Sequence, residues 1–270
     1  MKIAAIQMVS KPSVQANLAD ADALLAQAAA LGAELAALPE YFCLLGHKDT
    51  DKLVVQEPDG QGIVQDFLSY AAKRYNMWIV GGTMPISTAA PDRVHNASLV
   101  FDPTGQQRAR YNKIHLFAFD NGQEHYDESR VLAPGSSPVA FDLASRDGHT
   151  WRVGLSVCYD LRFPELYRLL ACDLLLVPSA FTYTTGQAHW ELLLRARAVE
   201  NLAYVAAPAQ GGLHKNGRRT WGHSMVVDAW GTVLAQQAES AGVVLADISY
   251  SAMQARRMQL PALSHRVLKA

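Results

Sequence analysis

Cysteine is scarce in this sequence: three residues in 270, at Cys43, Cys158 and Cys172. An odd, sparse set cannot build a disulfide framework, and it suits a reducing compartment. None of the three has a partner at CxxC spacing, which removes the dithiol redox motif. The histidines show no HExxH or similar spacing, so no metal and no cofactor are expected. No window approaches ~18 uninterrupted apolar residues, and no membrane span is expected. A charge excess is missing too. Lys and Arg total 24 against 25 Asp and Glu, a formal net charge of −1. That balance argues against a general nucleic-acid or membrane-surface binder. The opening "MKIAAIQM" is too short an apolar run for a secretory leader and lacks a cleavage pattern, so a cytoplasmic location is expected.

What is present is ordinary globular composition, 50% hydrophobic and 18% charged, in a chain long enough to bury roughly 70–75% of its unfolded surface. Residues 1–8 read as a strand. "ANLADADALLAQAAALGA" carries Leu18, Ala21, Leu24, Leu25, Ala28 and Leu31 on one helical stripe that Gly32 stops. Residues 33–40 form a short apolar strand ending at Pro39-Glu40. Residues 61–75 read as helix, 77–82 as strand, and 96–113 as a hairpin turning at "DPTG". From residue 150 the order recurs. "WRVGLSVC" is a strand, and "FPELYRLLA" a helix with Pro164 in its first turn. "CDLLLVPSA" is a strand, "QAHWELLLRARAVEN" a helix, "AYVAAPA" a strand, and "HSMVVDAWGTVLAQ" a hairpin. "NMWIVGG" and "LAYVAAP" lie 126 residues apart, as do "SLVFDPTG" and "SMVVDAWG". The common spacing suggests an internal duplication. Two β-α-β-α-β-β halves without a Gly/Ser/Pro-rich linker point to an α/β fold in a single domain over 1–270. Its expected form is an α-β-β-α sandwich of two mixed sheets with a pseudo-twofold repeat. The stretch 114–150 is less regular and reads as functional loop.

Three polar residues end strands in the places where α/β folds put chemistry: Glu40, Lys113 and Cys158. A thiolate is the nucleophilic form of cysteine. A carboxylate can take its proton and return it to a leaving amine. An ammonium and the backbone N–H after Cys158 can stabilise an oxyanion, and the following helix N-terminus is expected to favour the thiolate. Each residue also has a plainer reading. Buried cysteine is common as a small hydrophobe, Glu40 suits an ordinary loop, and Lys113 suits a solvated hairpin end. Spacing alone does not join them.

The motifs around these residues do. "LPEYF", "RYNKIHLF" and "GLSVCYDLRFPELYR" resemble, in order, the glutamate, lysine and cysteine motifs of the nitrilase (carbon–nitrogen hydrolase) superfamily, and the likeness runs over almost the whole chain. The resemblance implies the α-β-β-α sandwich, with homodimers or higher homo-oligomers stacking helix face on helix face. It implies Glu40 as general base, Lys113 as oxyanion stabiliser and Cys158 as a nucleophile that forms a thioester. It also implies a second glutamate after the lysine, best matched by Glu128 in "YDESRVLAPG", with Glu124 as the alternative, orienting Lys113 and the substrate nitrogen. "PSAFTYTTGQAHWELLLRARAVE" is similar to the branches that hydrolyse deaminated glutathione or 2-oxoglutaramate. "AAPAQGGLHKNGRRTWGHSMVVDAWG" favours the former. The implied substrate is a small-molecule amide of a 2-oxo-dicarboxylate. The alternatives are omega-amidase action, carbamoyl-amide or nitrile hydrolysis, or a non-enzymatic binding protein. Tyr159, Phe181 and Thr182 are expected near the substrate. Arg195 and Arg197 read as structural ion-pair residues, as do Arg162 with Glu165. His189 and Trp190 read as helix packing, and Cys43 and Cys172 as inert thiols.

Overall fold

Alternate residues of the opening strand face different layers. A computed structural model of the chain describes residues 1–268. In strand β1 (Lys2–Gln7), Ile3 and Ala5 join a core shared with the second half of the chain. Ala4 and Ile6 join a core roofed by the first-half helices. A strand buried on both faces needs a nearly continuous apolar sequence rather than strict alternation, and that is what its residues supply.

The first half continues with α1 (Val14–Ala30), β2 (Leu35–Ala37), a helical turn α2 (Asp51–Val54), α3 (Ile63–Tyr75) and β3 (Trp78–Val80). Strands β4 (Met84–Ser87), β5 (Val94–Phe101) and β6 (Gln107–Asn112) complete it. A small hairpin, β7 (Ala118–Asp120) and β8 (His125–Asp127), projects from the connecting stretch. The second half comprises β9 (Val139–Ala144), β10 (Thr150–Leu155), α4 (Pro164–Leu170), β11 (Leu174–Leu176), α5 (Tyr183–Asn201) and β12 (Tyr204–Ala207). It ends with a second small hairpin, β13 (Gly211–Leu213) and β14 (Arg219–Trp221), then β15 (Ser224–Val227) and β16 (Val233–Gln237). Strand β17 (Gly242–Asp247) and helix α6 (Tyr250–Gln259) follow.

One sheet has seven strands, ordered β17-β1-β2-β3-β5-β4 with β6 on β5; the other has six, ordered β16-β15-β12-β11-β10-β9. In each, three parallel strands, β1-β2-β3 or β10-β11-β12, are followed by an antiparallel neighbour, β5 or β15. The two sheets pack face to face with helices outside, the expected α-β-β-α sandwich. The repeat extends to helix ends: Asn76 and Leu202, 126 residues apart, both take the left-handed conformation that closes a helix. Strand β17 was not foreseen. It leaves the second half to pair antiparallel with β1 over six residues, stitching the halves together.

Two boundaries differ from the sequence reading. Leu31, placed on the buried stripe of the first helix, is 46% exposed because it is the capping residue where the chain already turns away. Helix α5 begins at Tyr183 rather than Gln187, because the Thr182 side chain caps it by accepting from the Thr185 N–H. A run of threonines, poor helix formers by propensity, hides that start.

Gly82 holds the end of β2 in place. It has φ +50°, and a Cβ there would collide with the carbonyl oxygens of Leu38 and Pro39, the two residues before Glu40. Gly82→Ala should therefore cost about 1–3 kcal/mol of stability and lower turnover more than a comparable change elsewhere. Denaturant melts and initial rates on the same preparation check both.

His214, at the tip side of the β13–β14 hairpin, is buried between the Ser10 carbonyl (Nδ1, 3.0 Å) and the Thr220 hydroxyl (Nε2, 2.8 Å). The carbonyl accepts only, so Nδ1 carries the proton and Nε2 receives the hydroxyl's. Burial lowers the pKa of His214 below its ordinary value. Its folded form resists the charge that the unfolded chain takes up at about 6.5. Stability is thus intact above that pH and falls as pH drops through and below it. Melts between pH 8 and 5 should show this loss, and His214→Gln should flatten it.

Candidate active site

Period-two alternation aims the lysine. The Lys113 N–H donates to the Asn96 carbonyl at 3.0 Å, extending the β5–β6 ladder past Asn112. Lys113 therefore shares the inner face of β6 with Tyr111, and both are buried. Glu40 lies just beyond β2 and is 1% exposed.

Cys158 sits where β10 gives way to a 3-10 turn, Cys158–Arg162. Its φ is +50°, a conformation that costs an L side chain about 1–2 kcal/mol. The bend is held from both sides. The Cys158 N–H donates to the Pro178 carbonyl at 2.9 Å, and the Val157 N–H donates to Asp160 Oδ2 at 2.8 Å. Asp160 also accepts from the Tyr111 hydroxyl at 2.7 Å, the His115 N–H at 3.0 Å and His115 Nδ1 at 2.7 Å. A single buried carboxylate thus ties the cysteine turn to the lysine strand. The His115 ring is further fixed by stacking on Phe163 at 3.6 Å.

The Lys113 ammonium is fully enclosed by carboxylate. It reaches Glu40 Oε1 at 2.9 Å, and Glu128 Oε2 and Oε1 at 2.7 and 3.0 Å. The two glutamates are not equivalent. Glu128 also accepts from the Tyr41 hydroxyl at 2.7 Å and the Phe117 N–H at 2.7 Å. Both its oxygens are therefore doubly occupied. Glu40 Oε1 takes a second donor, Asn96 Nδ2, at 2.9 Å. Glu40 Oε2 takes only the Ala180 N–H, at 2.9 Å, so it keeps an acceptor position toward the pocket.

These contacts set the charges. Burial works to discharge Lys113, but Glu128 and then Glu40 outweigh it and hold its pKa well above the ordinary lysine value. Burial likewise works to protonate Glu128, and the Lys113 ammonium overcomes it, leaving the carboxyl below its usual range. Cys158 goes the other way: burial, reinforced by the negative charge of Glu40, pushes the thiol well above its ordinary pKa. The expected help from a helix N-terminus is absent, because α4 begins only at Pro164, beyond the 3-10 turn. The resting group is a thiol beside a base.

The small pocket in front of Cys158 is lined by Glu40, Glu128, Tyr159, Phe181, Thr182 and Arg218, among others. All three expected substrate neighbours face it. Tyr159 meets Phe117 edge-on at 5.2 Å and Phe181 packs on Trp190 at 4.9 Å. The Thr182 hydroxyl is engaged with that of Thr185 at 2.8 Å. Of the two glutamates left open, Glu128 meets the lysine, while Glu124 bonds Tyr126 and Thr184 at the rim.

Arg195 and Arg197 are structural, as read. Arg195 pairs with Glu191 and the Gly231 carbonyl, and Arg197 with Glu200 and the Leu161 carbonyl. Arg162 does not pair with Glu165. The i, i+3 rule needs a continuous helix, and here the chain bends at Phe163 (φ −113°, ψ 89°) between turn and helix. Arg162 instead lines the pocket and reaches the ring of His189, which is exposed rather than packed. Trp190 is buried as expected, and burial pushes the Cys43 and Cys172 thiols up to about 12.

Sequence reasoning missed Asn96, Tyr41, Asp160 and Arg218. Asn96 left a trace as a polar residue interrupting an apolar strand. Tyr41 directly follows Glu40, and Asp160 stands two residues after Cys158. Arg218, on a distant hairpin, left none. Replacing Asp160 tests its tie between motifs. Asp160→Ala strands four donors, and buried unpaired donors cost about 1–3 kcal/mol each. Stability should fall by at least about 3 kcal/mol, and turnover at a temperature where the variant remains folded should fall at least tenfold. Tyr111→Phe, which strands one acceptor site on Asp160 and the Ile114 N–H that the hydroxyl accepts at 3.3 Å, should do less on both counts.

The family model described as carbon-nitrogen hydrolase matches residues 2–258. A Synechocystis protein named deaminated glutathione amidase is 41% identical over 98% of this chain and 97% of its own length. A human protein named Omega-amidase NIT2 is 37% identical over 98% of this chain and 94% of its own. Among solved structures, the C. elegans NitFhit protein superposes with a TM-score of 0.88 at 36% identity, covering 98% of this chain. This chain spans 65% of that longer one.

Proposed function

The chain belongs to the carbon–nitrogen hydrolase family and is an amide-hydrolysing enzyme, and we propose that it cleaves deaminated glutathione to 2-oxoglutarate and cysteinylglycine through a thioester on Cys158. The observation that carries this reading is the buried Lys113 ammonium bridging a saturated carboxylate, Glu128, and one with a free acceptor, Glu40, in the pocket that holds the thiol. The substrate follows from the relatives' names together with the residues of the second half.

The asymmetry between the glutamates divides the labour. Glu40 Oε2 takes the proton of the Cys158 thiol as sulfur attacks the amide carbon, so a thiol with a raised pKa is ionised only while a bond forms. The carbonyl electrons move onto oxygen, and Lys113 with the Tyr159 N–H stabilises that oxyanion. Among the described residues the Tyr159 N–H has no protein acceptor to give up. Protonated Glu40 loosens its hold on Lys113 just as the new negative charge forms, freeing one ammonium N–H for it. Glu128 keeps the lysine charged throughout. When the C–N bond breaks, Glu40 returns the proton to the departing amine. Water then enters, gives a proton to Glu40, and attacks the thioester. Collapse expels the thiolate, which recovers that proton. The sum is amide plus water giving acid plus amine.

Omega-amidase action on 2-oxoglutaramate is the second reading, favoured by the similarity to the human protein of that name. Exposed Leu169 on α4 and Leu192 and Val199 on α5 support a helix-face homodimer.

Two measurements test the proposal. Rapid quench and mass spectrometry with deaminated glutathione should find a 2-oxoglutaryl adduct on Cys158, and Cys158→Ala, folded as judged by its melt, should lose turnover. An active alanine variant sinks the mechanism. Side by side, kcat/KM should be larger for deaminated glutathione than for 2-oxoglutaramate, because tail contacts add transition-state binding that ammonia cannot. The reverse preference moves the enzyme to the second reading.

A further inference from the structure

Beside the catalytic pocket runs a second and larger cavity, an open groove of about 230 Å³. Its floor and walls include Tyr41, the loop 44–49, Lys52 and Tyr126. Arg218 is the residue common to both cavities. The walls are tied together, since Asn216 Nδ2 on the hairpin loop donates to the Gly46 carbonyl at 2.6 Å.

The groove is cationic. Lys48, Lys52 and Arg218 face it, with His47 and His125, against a single lining carboxylate, Asp49. That carboxylate is weakly engaged, 3.5 Å from Lys52 and 67% exposed. The neighbouring Asp51 is turned away, its Oδ2 accepting from the His47 and Lys48 N–H groups at 2.8 and 3.0 Å. Lys52 is largely covered by the Tyr41 ring, 4.7 Å from its ammonium. Arg218 is the most telling. It lies over the Tyr126 ring at 5.0 Å and donates one N–H to the Ala180 carbonyl at 3.2 Å. Its Nε–H is buried without an acceptor among the described residues. Buried donors in native proteins are nearly always paired, and a guanidinium with an open edge matches a carboxylate in shape as well as charge.

We propose that this groove holds the anionic tail of the leaving amine, with Arg218 at its entrance and Lys48 and Lys52 along it. The enzyme then selects amides whose amine carries a carboxylate over amides that release ammonia or a neutral amine. The inference rests on the amide-hydrolase reading above and adds to it the group that the protein recognises beyond the scissile bond. The small pocket takes the acyl part, and the groove, joined to it at Arg218, takes the tail. Binding there acts on the tail and adds no chemical step.

The test uses two substrates that differ only at the far end of the tail: deaminated glutathione and its C-terminal carboxamide. With the wild-type enzyme, capping the carboxylate should lower kcat/KM about ten- to a hundredfold, the worth of one charge-assisted hydrogen bond. In a Lys48→Met/Lys52→Met enzyme the ratio of the two values should fall toward one. Arg218→Met should lower it further, and Arg218→Lys should restore part. Equal kcat/KM for the two substrates on wild type overturns the inference while leaving the amidase reading intact, as does a ratio that the lysine changes do not move. If wild type releases amine from neither substrate, the substrate reading fails first and the inference falls with it.

Discussion

A lysine ammonium buried without water must be neutralised, and the rest of this site follows from how that is done. Moving such an ion out of water costs several kcal/mol even after relaxation. One carboxylate would offset the charge but would leave the lysine exposed to discharge whenever that carboxylate took a proton. Two carboxylates remove the problem. Glu40, Glu128 and Lys113 carry one net negative charge with the thiol neutral. In the proposed mechanism, passing the thiol proton to Glu40 moves that charge onto sulfur without changing the total. In a low-dielectric pocket, a proton transfer that conserves net charge avoids the solvation cost that ionising the thiol to bulk water would incur.

The same constraint explains why the surrounding backbone is so fully committed. Glu40, Lys113 and Cys158 come from strand ends in both halves of the chain, so a small shift of one sheet against the other would separate them. Two devices resist that shift. Asp160 ties the cysteine turn to the lysine segment through three hydrogen bonds and closes the turn itself with a fourth. Gln210, beyond β12 in the second half, reaches back to Ser10 and to the Glu40 carbonyl. Strand β17 adds a third link by joining the first sheet after the second half is complete. Holding reacting groups this firmly is how an enzyme avoids reorganising its dipoles during the reaction.

The layers were legible in the sequence because burial on two faces leaves an unmistakable apolar run, as in "DLLLV", and because the duplication repeats its punctuation. Glu40, Lys113 and Cys158 were legible as residues at strand ends, but only the resemblance of the motifs around them to the nitrilase superfamily joined them. What stayed hidden depends on tertiary direction. Nothing local distinguishes Arg218, whose guanidinium points into a pocket, from Arg219 beside it, which is exposed and pairs with Glu239. Arg162 misled because spacing assumes a helix where the chain makes a 3-10 turn and a bend. Strand β17 was missed because "AGVVLADIS" lies outside the repeated pattern that organised the reading.

The difference between Glu40 and Glu128 came from the family resemblance alone, since nothing in the residues themselves separates two glutamates near a turn. It is a matter of counting donors. A carboxylate has about four acceptor positions. Glu128 fills its positions with Lys113 twice, Tyr41 and the Phe117 backbone. Glu40 receives three donors and keeps one position open. A saturated carboxylate resists protonation because every bond it accepts must be weakened or broken to do so. An open position lets a proton arrive with those bonds largely kept. In the proposed mechanism acid–base capacity is therefore set less by residue type than by one unfilled lone pair, and the loop 114–128, which delivers Glu128 and the Phe117 N–H together, is what keeps the proton on the other side of the lysine.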